Sequence, residues 1–208
     1  MEDVLAVYQR VYDSAYPVVC MDESSKQLLA DVKTPLPAKA GEFQRYDYEY
    51  SRQGVANLFL FFNPLENKRW IQVTERRCRT DWATAMKQLA DEIYPDAEKI
   101  VVVLDNLNTH SPQSFYETVP AQEARRLCER FEFHYTPKHG SWLNMAEIEF
   151  SVLFRQCLSR RIPTIADLIR EIQAWYHLRN QSSASIDWRF TTEDARIKLK
   201  RLYPHIQD

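Results

Sequence analysis

Residues 100–110 read IVVVLDNLNTH and residues 131–150 read FEFHYTPKHGSWLNMAEIEF. Ile100 to Leu104 are five β-favouring aliphatics in succession, the pattern of a strand buried on both faces. The run stops at Asp105, and an acid where such a strand ends stands at the carboxyl edge of the sheet, where open α/β folds place their sites. Phe131 to Tyr135 predicts a second short strand, Pro137 to Gly140 breaks it, and Leu143-Asn144 opens an apolar helical run through Leu158. Glu147 falls in the first turn of that helix, so a strand end and a helix start can bring two carboxylates together. Each acid also has a structural reading: Asp105 as a turn former or N-cap, and Asn144-x-x-Glu147 as a capping box.

A third acid changes the weighing. Pro17-Val18-Val19-Cys20-Met21-Asp22-Glu23 is an earlier apolar strand that also ends in acid. Two aspartates on neighbouring strands and a helical glutamate make an all-oxygen set, which hard divalent ions such as Mg²⁺ or Mn²⁺ prefer. Such a trio suits two-metal phosphoryl chemistry, with the ions about 3.5–4 Å apart.

The segments VVCMDESSKQL, VVVLDNLNTH, FHYTPKHGSWLNMAEIE and RQCLSRRIP closely resemble the catalytic domain of bacterial insertion-sequence transposases of the six-thirty family, within the Tc/mariner superfamily of DDE transposases. The resemblance covers nearly the whole chain. It implies a ribonuclease-H-like α/β fold, a mixed sheet with helices on both faces, in which Asp22, Asp105 and Glu147 are the DDE triad. It further implies two Mg²⁺ ions with Mn²⁺ as a substitute, metal-dependent DNA cleavage, attack of a DNA 3′-hydroxyl on target DNA, and a dimer on DNA in the bacterial cytoplasm. Where the superfamily commonly has a proline in Leu-Asn-Pro-x-Glu, this chain has Leu143-Asn144-Met145-Ala146-Glu147, and its second and third acids are 42 positions apart, a longer interval than usual. Glu149 is therefore the alternative third acid. The two glutamates lie about 200° apart around a helix and cannot face one site together, and Glu147 keeps the Leu-Asn-x-x-Glu register.

The same matching stretches nominate Asn106, His110, Lys138, His139 and Asn144 as contacts to phosphate or to the acids, with Arg155, Arg160 and Arg161 as a phosphate-gripping edge. Turn formation, capping and surface solvation are the plainer roles of these residues. Rival functions are a nuclease of the same fold without strand transfer and a noncatalytic partner of a full-length transposase.

With 208 residues and 45% hydrophobic content the chain can bury one substantial core. The net charge of −2 hides an asymmetry: residues 151–208 hold ten Lys or Arg against six Asp or Glu, a net +4 that leaves −6 for residues 1–150. An acidic site beside a basic flank is consistent with DNA binding. Four dispersed cysteines form no zinc pattern, and the absence of any apolar run of spanning length argues against membrane insertion.

Residues 1–16 predict a short amphipathic helix or linker, too short for a helix-turn-helix reader; residues 17–178 the catalytic domain; and residues 179–208 a basic extension. Within the domain, Tyr46, Tyr48 and Tyr50 alternate with acids as a half-buried strand does. Val55–Phe62 and Arg69–Thr74 form strands joined by a turn. Thr80 is placed to cap a helix over 81–94, Ser111-Pro112 starts another, and Pro120 divides it from a basic one through Arg130. Helices over 165–177 and after Thr191 complete the chain.

Overall fold

The computed structural model describes residues 1–203. The aliphatic run forms β4 (Ile100–Leu104), whose five residues are all buried. β1 (Val18–Asp31) lies parallel beside it, with Val18, Val19 and Cys20 level with Val101, Val102 and Val103. β5 (Phe131–Tyr135) is parallel on its other side. β2 (Tyr50–Asn63) and β3 (Lys68–Thr74) continue the sheet antiparallel, giving the order β3-β2-β1-β4-β5.

Side-chain alternation divides this sheet between two cores. Ile100, Val102 and Leu104 join Val19, Met21, Phe59 and Phe61 against α2 (Arg79–Gln88), α3 (Gln113–Thr118) and α4 (Ala121–Arg130). Val101 and Val103 join Cys20, Leu58, Leu60 and Phe62 against α1 (Glu2–Val7), α5 (Met145–Gln156) and α6 (Ile165–Gln181). Helices thus cover both faces, as a strand apolar on both sides requires.

Several local expectations change. α2 is capped by Cys78 rather than Thr80, because Asp81 returns a carboxylate oxygen to the Cys78 N–H at 3.0 Å. The helix then runs through a π-helical turn at Leu89–Ile93 and stops before Pro95. Residues 32–49 are an irregular arm between β1 and β2, and Tyr48, expected in a half-buried strand, is 84% exposed. The strand pattern fails there because Arg161 takes the backbone groups at the base of the arm. Its guanidinium donates to the Asp31 carboxylate at 2.6 Å and to the carbonyls of Asp47, Tyr48 and Glu49, and it lies over the rings of Tyr46 and Tyr50.

α1 is more than a linker: Val4, Leu5 and Val7 are buried in the core beside α5. α7 (Thr192–Lys198) packs on α1, with Arg196 holding both Glu2 carboxylate oxygens at 2.8 Å. α6 extends four residues past the expected end, and its Asn180 pairs with the free edge of β3. The Asn180 side chain accepts from the Arg69 N–H at 2.9 Å and donates to the Arg69 carbonyl at 2.8 Å. Among the described residues no helix is long and apolar enough to cross a membrane, and all four cysteines are free thiols.

Candidate active site

Strand parity decides which acids share a side. Asp22 follows Cys20 by two residues and Asp105 follows Val103 by two, and Cys20 and Val103 are partners in the parallel ladder, both packed toward α5. Continuing that alternation carries the Asp22 carboxylate to the α5 side within β1, which does not end at these acids as expected but runs on to Asp31, while Asp105 lies one residue past the end of β4. Glu147, half-buried in the first turn of α5, approaches from the helix.

Asp22 registers the charges of the other two acids. Burial, with the negative charges of Asp105 and Glu147, pushes the Asp22 carboxyl up to about 7, against the stabilising hydrogen bond it accepts from the Glu23 N–H at 2.8 Å. Hard carboxylate oxygen donors fit a divalent cation in chemistry. Among the described residues, however, no three His, Cys, Asp or Glu side chains close around one point. The acids border two open clefts instead. Asp22 and Glu147 line one of about 540 Å³ with Ser151, Phe154 and Arg155, while Asp105 lines one of about 490 Å³ with Asn106, Thr136, Lys138 and His139.

The helix that carries Glu147 is fixed by Asn144, which is 1% exposed. Its side-chain oxygen accepts from the Ala146 N–H at 3.1 Å and its side-chain nitrogen donates to the Met21 carbonyl at 2.8 Å, next to Asp22. Asn144 therefore both caps α5 and ties it to β1. Tyr8, from the N-terminal segment, reaches the same corner and donates to the Leu143 carbonyl at 2.7 Å. The ring of Trp188 meets Tyr8 edge-on at 5.2 Å.

Glu149 is turned to the interior. It is 0% exposed and is gripped by Arg69 at 3.0 Å and Arg179 at 3.0 Å. Both arginines come from other elements, β3 and α6.

His110 lies beneath Asp105, with a fully buried side chain stacked on Trp82. Its Nδ1 stands 2.6 Å from the Asp105 Oδ1 and its Nε2 3.6 Å from the Glu23 Oε2. Burial opposes a charge on the ring, but the Asp105 and Glu23 carboxylates outweigh it and push the imidazole up to about 9.

The remaining nominated residues divide. Asn106, Lys138 and His139 are exposed in the Asp105 cleft. His139 has φ 64°, which turns the chain sharply before Gly140, and a Cβ at Gly140 would stand 2.6 Å from the Pro137 ring. Arg155 is exposed beside Asp22 and Glu147. Arg160 is paired with Glu171, and Arg161 is committed to the arm. Sequence reading missed Glu23, Tyr8 and Arg69, whose partners are distant in the chain; for Glu23 the available signal was its place directly after Asp22.

The sequence and the fold have known counterparts. The profile of the DDE superfamily endonucleases matches residues 17–169. No curated protein matches the chain. Among solved structures, it is similar to the Mos1 mariner paired-end complex with Mn, at 11% identity and a TM-score of 0.56, covering 86% of this chain and 54% of that one. It is also similar to the Mos1 strand transfer complex, at 11% identity and a TM-score of 0.55, covering 85% and 53%. The chain thus spans about half the length of those transposase chains, and the likeness is one of fold, the ribonuclease-H-like mixed sheet. With the profile running from the start of β1 into α6, across all three acids, the chain belongs to the DDE superfamily of endonucleases.

Proposed function

We propose that this chain is the catalytic domain of an insertion-sequence transposase of the six-thirty family, Tc/mariner type, which cleaves DNA at element ends and joins the freed 3′-hydroxyl to target DNA. One observation carries the reading: in a DDE-family sheet, Asp22 of β1 and Glu147 of α5 line one cleft, and Asp105 follows the strand that pairs with β1. Asp22, Asp105 and Glu147 would hold two Mg²⁺ ions, with Mn²⁺ as a substitute, and the ions supply activation of the attacking oxygen and charge relief at phosphorus.

The protein's own residues supply position. Asn144 and Tyr8 hold the Glu147 helix against β1, and Glu149 is kept out of the site by its arginines. Lys138, His139 and Asn106 on one side and Arg155 on the other take DNA phosphate oxygens, which orients the strand without reading its sequence. In cleavage a water oxygen bonds to phosphorus and the 3′ oxygen leaves as a hydroxyl; in joining that hydroxyl bonds to a target phosphorus and displaces a second 3′ oxygen. No covalent protein intermediate is needed. The partner is DNA, engaged by a dimer, in the bacterial cytoplasm.

The test supplies a precut duplex with a free 3′-hydroxyl and the flanking sequence of the chain's own gene, a plasmid target and Mg²⁺. Joined DNA with wild type and none with Asp105→Asn supports the proposal. Nicks alone would indicate a nuclease, and DNA bound but neither cut nor joined a noncatalytic partner.

A further inference from the structure

Asp22 and Glu23 are consecutive on β1, so their side chains leave the sheet on opposite faces. Asp22 goes to the α5 side. Glu23 goes to the side of Met21 and Trp82, where its side chain is 3% exposed. There it meets His110, whose other nitrogen meets Asp105. Consecutive residues of β1 thus send one carboxylate toward α5 and the other toward Trp82.

We propose that Glu23, acting through His110, is a positioning residue that fixes the Asp105 carboxylate for cation binding. The inference rests on the functional reading above. Asp105 stands beyond the last residue of β4, where the ladder to β5 has ended at Leu104–Tyr135, so sheet pairing no longer restrains its side chain. Its buried Oδ1 makes no hydrogen bond but stands 2.6 Å from the His110 Nδ1, which also meets the Asp105 backbone carbonyl at 3.2 Å, while the side chain as a whole is 29% exposed at the cleft. The ring itself has little freedom. It stacks on Trp82 with centroids 5.6 Å apart, and the Tyr135 hydroxyl donates to the His110 carbonyl at 3.0 Å.

Glu23 closes the far end of this chain and is itself held by Arg77, Nε to Oε1 at 3.4 Å. A buried polar chain of this kind is no better for stability than apolar packing of the same volume, so stability alone does not account for it. What it supplies is direction: a carboxylate fixed through one oxygen presents the other in a defined place. Partners behind a ligating group commonly alter metal affinity by about 10–100-fold.

The experiment is a Mn²⁺ titration of the intact chain, free Mn²⁺ being read by electron paramagnetic resonance. It compares wild type, Glu23→Ala, Glu23→Gln, His110→Gln and the double variant Glu23→Ala/His110→Gln. Circular dichroism melts without metal establish which variants are folded. Glu23→Ala is expected to weaken Mn²⁺ binding about tenfold or more, Glu23→Gln less because it keeps an acceptor oxygen and the shape, and the double variant no more than His110→Gln alone. Non-additivity in Mn²⁺ affinity that does not follow the metal-free melting temperatures is the part that loosened packing would not produce. Affinity unchanged in folded Glu23→Ala, a loss in Glu23→Gln as large as in Glu23→Ala, or losses that add in the double variant, would overturn the inference and leave the functional reading standing. Wild type that takes up no Mn²⁺ would overturn both.

Discussion

Glu149 and Arg69 meet at 3.0 Å with neither side chain exposed to solvent, two residues along the same helix from half-buried Glu147. Two helical positions differ by about 200°, so one glutamate points to the cleft and the other to the interior. The neighbours therefore have separable tasks. Arg69 also donates to the Ala184 carbonyl at 2.6 Å and lies 4.9 Å from the centre of the Phe62 ring, while Arg179 completes the pairing of Glu149.

Breaking that network leaves two arginines facing no acid. Glu149→Ala is expected to cost about 3–5 kcal/mol of folding stability, the range for removing one partner of a buried pair. Glu147→Ala, at the rim of the cleft, is expected to cost no more than about 1 kcal/mol. Urea denaturation of the two variants side by side decides it, and equal losses would remove the distinction between them.

For Asp105 the expectation concerns chemistry rather than folding. Asp105→Asn keeps the volume and removes the anionic ligand, so Mg²⁺-dependent cleavage should fall by at least about 100-fold, equivalent to about 2.7 kcal/mol of barrier, with the far-ultraviolet spectrum unchanged. A folded variant cutting at the wild-type rate would move the reaction to other residues.

The pH dependence of metal-free stability has two parts. Asp22 has a folded value of about 7 against an ordinary value of 3.8, so the folded state holds a proton that the unfolded state has lost, and stability falls as pH rises between those values. His110 has a folded value of about 9 against 6.5, so the stability it contributes is fully present below 6.5 and is lost as pH rises to about 9. Asp22→Asn should flatten the lower slope and His110→Gln the upper one. Denaturation in EDTA across the pH range measures both, and slopes the variants leave untouched would refute the assignments.

Tyr8→Phe removes one hydroxyl. The Leu143 carbonyl loses its 2.7 Å partner, at about 1–3 kcal/mol for a buried group left unpaired, and the corner that starts α5 loosens. Cleavage should fall together with stability, although Tyr8 lies well outside the clefts in sequence. Cleavage equal to wild type in a variant of lowered stability would confine Tyr8 to a packing role.

Arg161→Ala should release the base of the arm. Lys33, Lys39 and Arg45 then become faster trypsin sites, by about tenfold for a local loss of about 1.4 kcal/mol. Mass spectrometry of the early fragments tests this, and cutting elsewhere first would count against the anchor.

What could be read from residues alone was whatever a short stretch determines by itself. The five aliphatics before Asp105 specify a two-sided buried strand in any context, and Asn144 followed by an apolar run specifies a capped helix, so the end of β4 and the start of α5 were legible, whereas β1 runs on past Asp22 to Asp31. Tyr46 and Tyr48 misled because alternation predicts a strand only where something covers one face, and Arg161, more than a hundred residues later, determines the conformation there. Arg69 was legible only as the start of a strand, with nothing nearby to mark its burial. Its acid lies 80 positions away and its carbonyl partner at Ala184 115 away. Glu23 and His110 carry no local mark of their contact.

The amide of Asn180 matches the Arg69 peptide as a neighbouring strand would, donor to acceptor and acceptor to donor. A sheet that ends in an open strand is a template on which other chains can polymerise, and this side chain occupies the template at its first rung. Fusion of two sheets into a continuous ribbon is blocked there without a proline or a bulge in β3. Truncation of Asn180 would therefore matter most in concentrated solution, where the uncovered rung becomes a seed for fibrous aggregates.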